Sequence, residues 1–201
     1  MKMPAEIAKA IKMVCASVEG LVADQDNKFA NYKFVSHDQI KAKAGVDVEV
    51  FMSNEGYPDE ITYSLVAAAS ELLKLPAGQI LRGFGEHWIL NTAQKGYGGL
   101  MQANGRTLPE FLRNLPDFHS RVAMIYPKLQ PPRFTCTDIT DRSLNLHYYS
   151  HREGLSEFVV GLMQGLGKMF NTPTTVRQTA AKVNGADHDI FEVTWNSTAL
   201  T

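Results

Sequence analysis

Apolar residues recur every three or four positions through the first part of the chain, a spacing that predicts amphipathic helices. The first predicted helix covers residues 4–19, and the polar residues 23–33 after it are predicted as a loop. Ser36 and Gln39 have the spacing of a capping box, which predicts a short helix that ends near Gly45. The N-terminal part of the chain is therefore predicted to be helical.

Three further helices are predicted in the middle of the chain. Pro58 and Pro76 each stand at the start of one, and Thr107 and Glu110 form a second capping box before the third. The glycine-rich residues 96–105 are predicted as a connection. The third helix carries one apolar stripe, made of Phe111, Leu112, Leu115, Phe118, Val122 and Ile125.

The period changes to two after Pro131 and Pro132, which end the last of these helices. Alternation of apolar and polar residues predicts four strands, at residues 134–139, 143–150, 175–181 and 189–195. One more helix is predicted at residues 155–170. This order predicts an α+β fold with a helical N-terminal lobe and a C-terminal lobe that contains a four-stranded antiparallel sheet plus helices.

Glycines inside two predicted helices indicate close packing. Gly83 and Gly85 lie in the helix after Pro76, and Gly161, Gly165 and Gly167 lie in the helix at residues 155–170. A glycine inside a helix costs about 1 kcal/mol relative to alanine. We therefore expect another element or a ligand to approach both helices closely.

The second predicted strand ends in a row of polar side chains. Tyr148, Ser150 and Arg152 share a face with Leu144 and Leu146, because alternate residues of a strand point the same way. An arginine can hold a carboxylate with two N–H groups, and hydroxyls can donate to its other lone pairs. The row suits a ligand with an apolar body and anionic groups. The simpler interpretation is a strand whose end reaches solvent.

Composition and charge narrow the class of protein. The chain has 201 residues, of which 44% are hydrophobic and 20% charged, as in globular proteins. A net charge of −1 gives no reason to expect a nucleic acid or a membrane surface as partner. Cys15 and Cys136 are too few for a disulfide framework, and no signal peptide or long apolar run is present. These features predict a cytoplasmic protein.

His119 lies on the apolar stripe of the helix after Thr107, between Leu115 and Val122. A single histidine on such a stripe is more often a hydrogen-bonded core residue than a metal ligand. The residue types alone leave both interpretations open.

Three stretches of sequence together resemble the H-NOX family, the haem–nitric oxide/oxygen binding domains of bacterial gas sensors and soluble guanylate cyclases. They are residues 114–119 (NLPDFH), residues 131–134 (PPRF) and the sequence Tyr148-x-Ser150-x-Arg152. The resemblance implies haem b between the two lobes, with His119 as the proximal iron ligand. It also implies that Tyr148, Ser150 and Arg152 hold the propionates.

Two other residues gain a role from the resemblance. Pro132 matches a proline that distorts the haem in this family. Asp59 matches an acidic residue that orients the propionate-binding arginine, although a role at the start of its helix explains it equally well.

The resemblance runs from about Lys43 to Trp195 and implies a single domain over residues 1–201. Its expected parts are a divergent helical segment at 1–42, a helical lobe at 43–126 and a sheet-containing lobe at 127–195. The N-terminal departure has two explanations. Either an extra helix precedes the family's usual start, or the helix at 4–19 is the family's first helix and residues 23–33 are an insertion. The apolar stripe of that helix favours the second.

The expected distal pocket contains Phe84, Trp88, Phe158 and Leu162. Phe158 takes the place of a tyrosine that donates to bound O₂ in oxygen-binding members, and phenylalanine cannot donate. Trp88 could donate through its indole N–H or could simply pack in the core. We therefore expect binding of NO and CO, and poor binding of O₂.

The resemblance implies a non-enzymatic sensor in which NO weakens the iron bond to His119 and releases it. The chain ends shortly after Trp195, so we expect a bacterial stand-alone sensor that signals in trans to a histidine kinase or a diguanylate cyclase. Two alternatives remain. One is a haem enzyme acting on peroxide or nitrogen oxides, for which His87 is the local acid–base candidate. The other is a haem-free interaction module.

Overall fold

The computed structural model describes residues 2–4, 35–48, 56–125 and 131–196. Six of the described segments are strands: β1 (Lys2–Pro4), β2 (Gly56–Pro58), β3 (Arg133–Thr137), β4 (Ser143–Tyr149), β5 (Thr174–Ala180) and β6 (Asp189–Trp195). The α-helices are α1 (His37–Ala44), α2 (Asp59–Leu73), α3 (Ala77–His87), α4 (Gln94–Asn104), α5 (Leu108–Arg113), α6 (Leu115–Ile125) and α7 (Ser156–Met169). A π-helical segment, Trp88–Ala93, joins α3 to α4, and a 3₁₀ turn spans Lys182–Asn184.

The N-terminal residues form a strand where a helix was expected to begin. Lys2 to Pro4 of β1 pair in antiparallel register with Pro58 to Gly56 of β2. The predicted start of a helix at residue 4 is therefore wrong, because this distant pairing sets the local conformation. The remainder of that predicted helix and the predicted loop at 23–33 lie outside the described residues.

The cap of α1 is the one that the sequence predicts. The backbone N–H of Gln39 donates to Ser36 Oγ at 3.2 Å, and the N–H of Ser36 donates to Gln39 Oε1 at 2.8 Å. The helix stops at Gly45, whose φ of 64° lies in the left-handed region that glycine adopts without strain. Both predicted boundaries of this helix are confirmed.

The glycine-rich residues 96–105 are not a connection, so that prediction is wrong. The π segment carries the chain from α3 into α4 without a break, and α4 continues to Asn104. Gly96, Gly98 and Gly99 have no neighbouring atoms within 4 Å of a Cβ position. The glycines alone disfavour a helix here, so the packing of buried Ala93 and Met101 stabilises it.

The helix predicted after Thr107 is two helices with a break at Asn114. The N–H of Glu110 donates to Thr107 Oγ1 at 3.4 Å, so the predicted cap forms at its start. Pro116 has no N–H to donate to the carbonyl of Leu112, and Cys136 Sγ–H donates to that carbonyl instead at 3.3 Å. The missing donor explains why the helix does not continue.

Strands β3, β4, β6 and β5 form an antiparallel sheet in that order. All four strands lie within two residues of their predicted ranges, and α7 lies within one residue of its own. Phe134 faces Tyr148 across the β3–β4 pair, and Tyr148 faces Asp189 across the β4–β6 pair. The expected α+β fold is confirmed.

Helices α3 and α7 pack with their backbones in contact. A Cβ added at Gly85 would lie 2.7 Å from the backbone nitrogen of Leu162, and one added at Gly161 would clash with the carbonyl of Arg82. Gly165 and Gly167 are similarly crowded. The prediction of close approach is confirmed for these four glycines and wrong for Gly83, which has nothing within 4 Å.

Two clusters of buried apolar side chains meet beside these helices. One joins α1, α2 and α3, and the larger one joins α4 to α7 with the sheet. Trp88 packs against both clusters and so lies where they meet. Among the helices of the described residues, none has the length and apolar character needed to cross a bilayer.

Candidate functional site

A cavity of about 510 Å³ lies between the helices and the sheet. This volume is within the range of small-molecule and cofactor sites. Nine of the ten site residues expected from the sequence line it: Phe84, Trp88, His119, Pro132, Tyr148, Ser150, Arg152, Phe158 and Leu162. The tenth, Asp59, lies behind the wall and contacts Arg152.

His119 occupies one wall in a defined chemical form. Its Nδ1 lies 3.0 Å from the carbonyl oxygen of Leu115, one turn earlier in α6. A carbonyl only accepts, so Nδ1 carries the proton and donates, which leaves the lone pair on Nε2. Burial lowers the pKa of His119, an effect that this hydrogen bond partly opposes. The imidazole is therefore neutral and has one nitrogen available to bind a metal.

Two aromatic rings fix the orientation of His119. The ring of Phe118 lies edge-on with its centroid 5.5 Å from that of the imidazole. The ring of Phe134, on β3, lies 4.8 Å away, and the ring of Tyr148 lies 5.3 Å beyond Phe134. A row of contacts thus connects His119 to the sheet and to the polar end of β4.

The polar end of β4 combines hydroxyl groups with a paired guanidinium. Ser150 Oγ accepts a hydrogen bond from the backbone N–H of Arg152 at 3.0 Å, which forms a tight turn after the strand. Burial raises the pKa of the Tyr148 hydroxyl, so it stays protonated and able to donate. Arg152 Nε lies 3.3 Å from Asp59 Oδ1, and both side chains are largely shielded from solvent.

The opposite wall is aromatic and apolar. Phe84 on α3 and Phe158 on α7 lie with ring centroids 4.7 Å apart, and Trp88 and Leu162 complete the wall. Phe158 offers no hydrogen-bond donor. His87 is not among the residues that line the cavity, and its Nδ1 lies 3.2 Å from the side-chain nitrogen of Asn91.

Tyr97 also lines the cavity, and sequence reasoning missed it. It lies within the residues predicted as a connection. In a regular α-helix, nine residues separate side chains by about 180°, so Tyr97 would face away from Trp88. The π segment between them widens one turn and shifts the phase by roughly one residue, or about 100°. The two rings consequently lie 6.4 Å apart on the same side.

The rim of the cavity carries a stack of side chains that the sequence did not reveal. The guanidinium of Arg133 lies 3.7 Å from the ring centroid of Tyr149, and the ring of His188 stacks on Tyr149 at 4.0 Å. His188 also contacts His147 through ring nitrogens 2.7 Å apart. Residues from both edges of β4 meet here, which local sequence patterns cannot show.

The lining has the chemistry of a site for a flat, apolar ligand with a metal ion and carboxylates. A neutral imidazole stands at one wall, aromatic side chains cover the opposite wall, and hydroxyls with a guanidinium lie at the end. A site of this kind fits haem b, whose iron needs an imidazole nitrogen and whose propionates need donors.

Comparisons with known proteins agree with this chemistry. The model of the Haem-NO-binding family, HNOB, matches residues 25–178. A soluble guanylate cyclase from Caenorhabditis elegans, gcy-31, is 24% identical over 160 residues, which cover 78% of this chain and 23% of that protein. The guanylate cyclase soluble subunit beta-2 of Rattus norvegicus is 35% identical over 91 residues, which cover 45% of this chain and 13% of that protein.

A solved structure shares the whole fold. The crystal structure of an H-NOX protein from S. oneidensis in the Fe(II)NO ligation state superposes with a TM-score of 0.75 and 17% sequence identity. The match covers 96% of this chain and 99% of that one. By contrast, this chain spans less than a quarter of the length of the two guanylate cyclases.

Proposed function

Because the chain belongs to the Haem-NO-binding family, we propose that it binds haem b in the cavity and acts as a gas-sensing domain for NO and CO. The observation that carries the proposal is the hydrogen bond from His119 Nδ1 to the carbonyl of Leu115, at 3.0 Å. It presents a neutral imidazole with a free Nε2 in the wall of a cavity of cofactor size.

The residues expected from the sequence take the following roles in this proposal. His119 binds the iron, while Tyr148, Ser150 and Arg152 hold the propionates. Asp59 orients Arg152 through their ion pair at 3.3 Å. Pro132, which immediately precedes β3 and lines the cavity, presses on the porphyrin. When bound, ferrous haem would supply iron that can bind a diatomic gas.

The partner of His119 suits a bond that can break. A carboxylate partner would make the imidazole more basic and strengthen its bond to a metal. Here the partner is a backbone carbonyl of the same helix. His119 would therefore keep this hydrogen bond whether or not it binds a metal, and its contact with Phe134 would carry a movement of the side chain to the sheet. Such a pair of states gives a gas ligand an equilibrium to shift.

The distal wall favours ligands that need no donor. Phe158 cannot hydrogen-bond to a bound gas, and its ring packs on Phe84. Bound O₂ is strongly polarised and depends on a donor more than NO or CO does. We therefore expect poor O₂ binding.

The proposed output is a movement read by another protein, a histidine kinase or a diguanylate cyclase, in a bacterial cytoplasm. The proposed domain covers residues 1–201, with its parts at 1–42, 43–126 and 127–195. A haem enzyme is less well supported, because its acid–base candidate His87 does not line the cavity.

Replacing His119 with alanine tests the function. The purified H119A protein should lack the absorption spectrum of histidine-ligated ferrous haem, and added imidazole should restore it. H87A is the matched control and should keep the wild-type spectrum. An H119A spectrum that is unchanged without imidazole would contradict the assignment of the iron ligand.

A further inference from the structure

Lys182 stands at the carboxylate end of the cavity, outside the motif that identifies the family. Its Nζ donates to the backbone carbonyl of Ser150 at 3.3 Å, and its side chain lines the cavity. The match to the family model covers residues 25–178, so that match assigns no role to Lys182. We propose that Lys182 is a second cation that binds a propionate of the haem, next to Arg152. This inference rests on the proposed function.

The backbone around Lys182 is fixed by one buried carboxylate. The N–H of Lys182 donates to Asp189 Oδ1 at 2.8 Å, and Gln178 Nε2 donates to the same oxygen at 3.1 Å. Ser156 Oγ donates to Asp189 Oδ2 at 3.0 Å. Asp189 thus connects the 3₁₀ turn to β5 and to the start of α7. The base of the lysine side chain is held in place while its flexible end reaches Ser150.

A second cation at this end of the cavity would balance propionate charge that Arg152 does not balance. Haem b carries two carboxylates, whereas the charge of Arg152 is already balanced by Asp59 at 3.3 Å. Among the described residues, the lysines and arginines that line the cavity are Arg133, Arg152 and Lys182. The guanidinium of Arg133 is stacked on Tyr149. Within the same residues Lys182 forms no ion pair, and only a neutral carbonyl accepts its hydrogen bond.

The test measures the rate at which the haem-loaded protein releases haem to excess apomyoglobin. At low ionic strength, K182Q should release haem about 2- to 5-fold faster than wild type, the size expected for one exposed charge interaction. K182R keeps the charge and should release haem near the wild-type rate. K43Q removes an exposed lysine that pairs with Glu71 and does not line the cavity, and should also match wild type.

Haem dimethyl ester distinguishes a contact between Lys182 and a propionate from a general effect of the substitution on the structure. It lacks propionate charges, so wild type and K182Q should release it at the same rate. Equal release of haem b by both proteins would overturn the role of Lys182, as would the same acceleration with the ester. A wild-type chain that binds no haem would overturn the proposed function itself, and this is measured first.

Discussion

The hydrogen bond of His119 to its own helix determines which ring nitrogen carries the proton. The imidazole is neutral because burial lowers its pKa, and its Nδ1 proton is used by the carbonyl of Leu115. The ring contacts Phe118 of the same helix and Phe134 of β3, so Phe134 is the contact that connects it to the sheet. A neutral imidazole whose hydrogen-bond partner lies on its own helix suits the proposed metal bond that a gas can break.

Acid should destabilise the haem-free protein through His119. Its folded pKa is depressed, so below the unfolded value of about 6.5 the unfolded chain binds a proton that the folded chain does not. Stability is therefore full above that pH and is lost as pH falls through it. Urea unfolding at one pH unit on either side of about 6.5 should show a smaller loss for H119Q than for wild type.

The buried histidine is not the only one that contributes to this loss. Burial also lowers the pKa of His87 and of His147, so H119Q should keep part of the dependence. An identical loss of stability in wild type and H119Q would contradict the assigned state of His119.

In the proposed site, Phe158 is the residue that we expect to discriminate against O₂. The variant F158Y places a hydroxyl in the distal wall, and we expect O₂ affinity of the ferrous haem-loaded protein to rise by about 10- to 150-fold. This range corresponds to about 1.5–3 kcal/mol for a hydrogen bond to a strongly polarised acceptor. F158L adds no donor and serves as the control, measured by the same O₂ titration. A stable O₂ complex of the wild-type protein would contradict the prediction, and Y97F would then test Tyr97 as the donor.

At the scale of elements, the pair α3–α7 forms a rigid wall of the cavity. Their backbones touch at Gly85 and Gly161, and ion pairs flank this contact. Arg82 pairs with Glu157, and Lys168 pairs with Glu86 at 2.5 Å. Phe84 lies on α3, and Phe158 and Leu162 lie on α7. The packing of the two helices therefore sets the distance between the side chains that form the distal wall.

The variant G161A should destabilise the protein, because the added methyl group meets the carbonyl of Arg82. We expect a loss of about 1–3 kcal/mol in the free energy of unfolding, as for other overpacked sites. G83A lies on α3 with nothing within 4 Å of the new atom, and should gain about 0.5–1 kcal/mol. Denaturant unfolding of both variants measures the difference. Similar values for the two would show that the helices do not touch as described.

Local patterns in the sequence predicted many of these elements correctly. They were not sufficient where the conformation depends on contacts between distant parts of the chain. The cap at Ser36 and the alternation in β4 depend on neighbouring residues, so both could be predicted. The strand at residues 2–4 depends on pairing with residues 56–58, which the local pattern does not show. The break at Asn114 follows from Pro116, a local signal that the prediction of one continuous helix did not use.

The site residues also divide into those that the sequence could predict and those that it could not. Nine of the residues that line the cavity could be expected from the sequence. Tyr97 was missed because glycines around it suggested a loop and because the π segment changes which way it faces. Lys182 was missed because the turn that positions it depends on Asp189, which lies on another strand.

For the whole molecule, the cavity joins the helices to the sheet through a few side chains. His119 on α6 contacts Phe134 on β3, which contacts Tyr148 on β4 at 5.3 Å. Arg152, just after β4, pairs with Asp59 at the start of α2. A ligand that contacts His119 and Arg152 together would bind both parts of the molecule, so a change at His119 would alter how they are held.

The most direct test of the account is the absorption spectrum of the ferrous, haem-loaded protein under anaerobic conditions, before and after addition of NO. We predict a spectrum of haem with one histidine ligand, which NO converts to that of nitrosyl haem without a histidine. Air in place of NO should leave no stable O₂ complex. A chain that takes up no haem on reconstitution, or that keeps its histidine ligand after NO binds, would contradict the proposal that His119 is a releasable iron ligand.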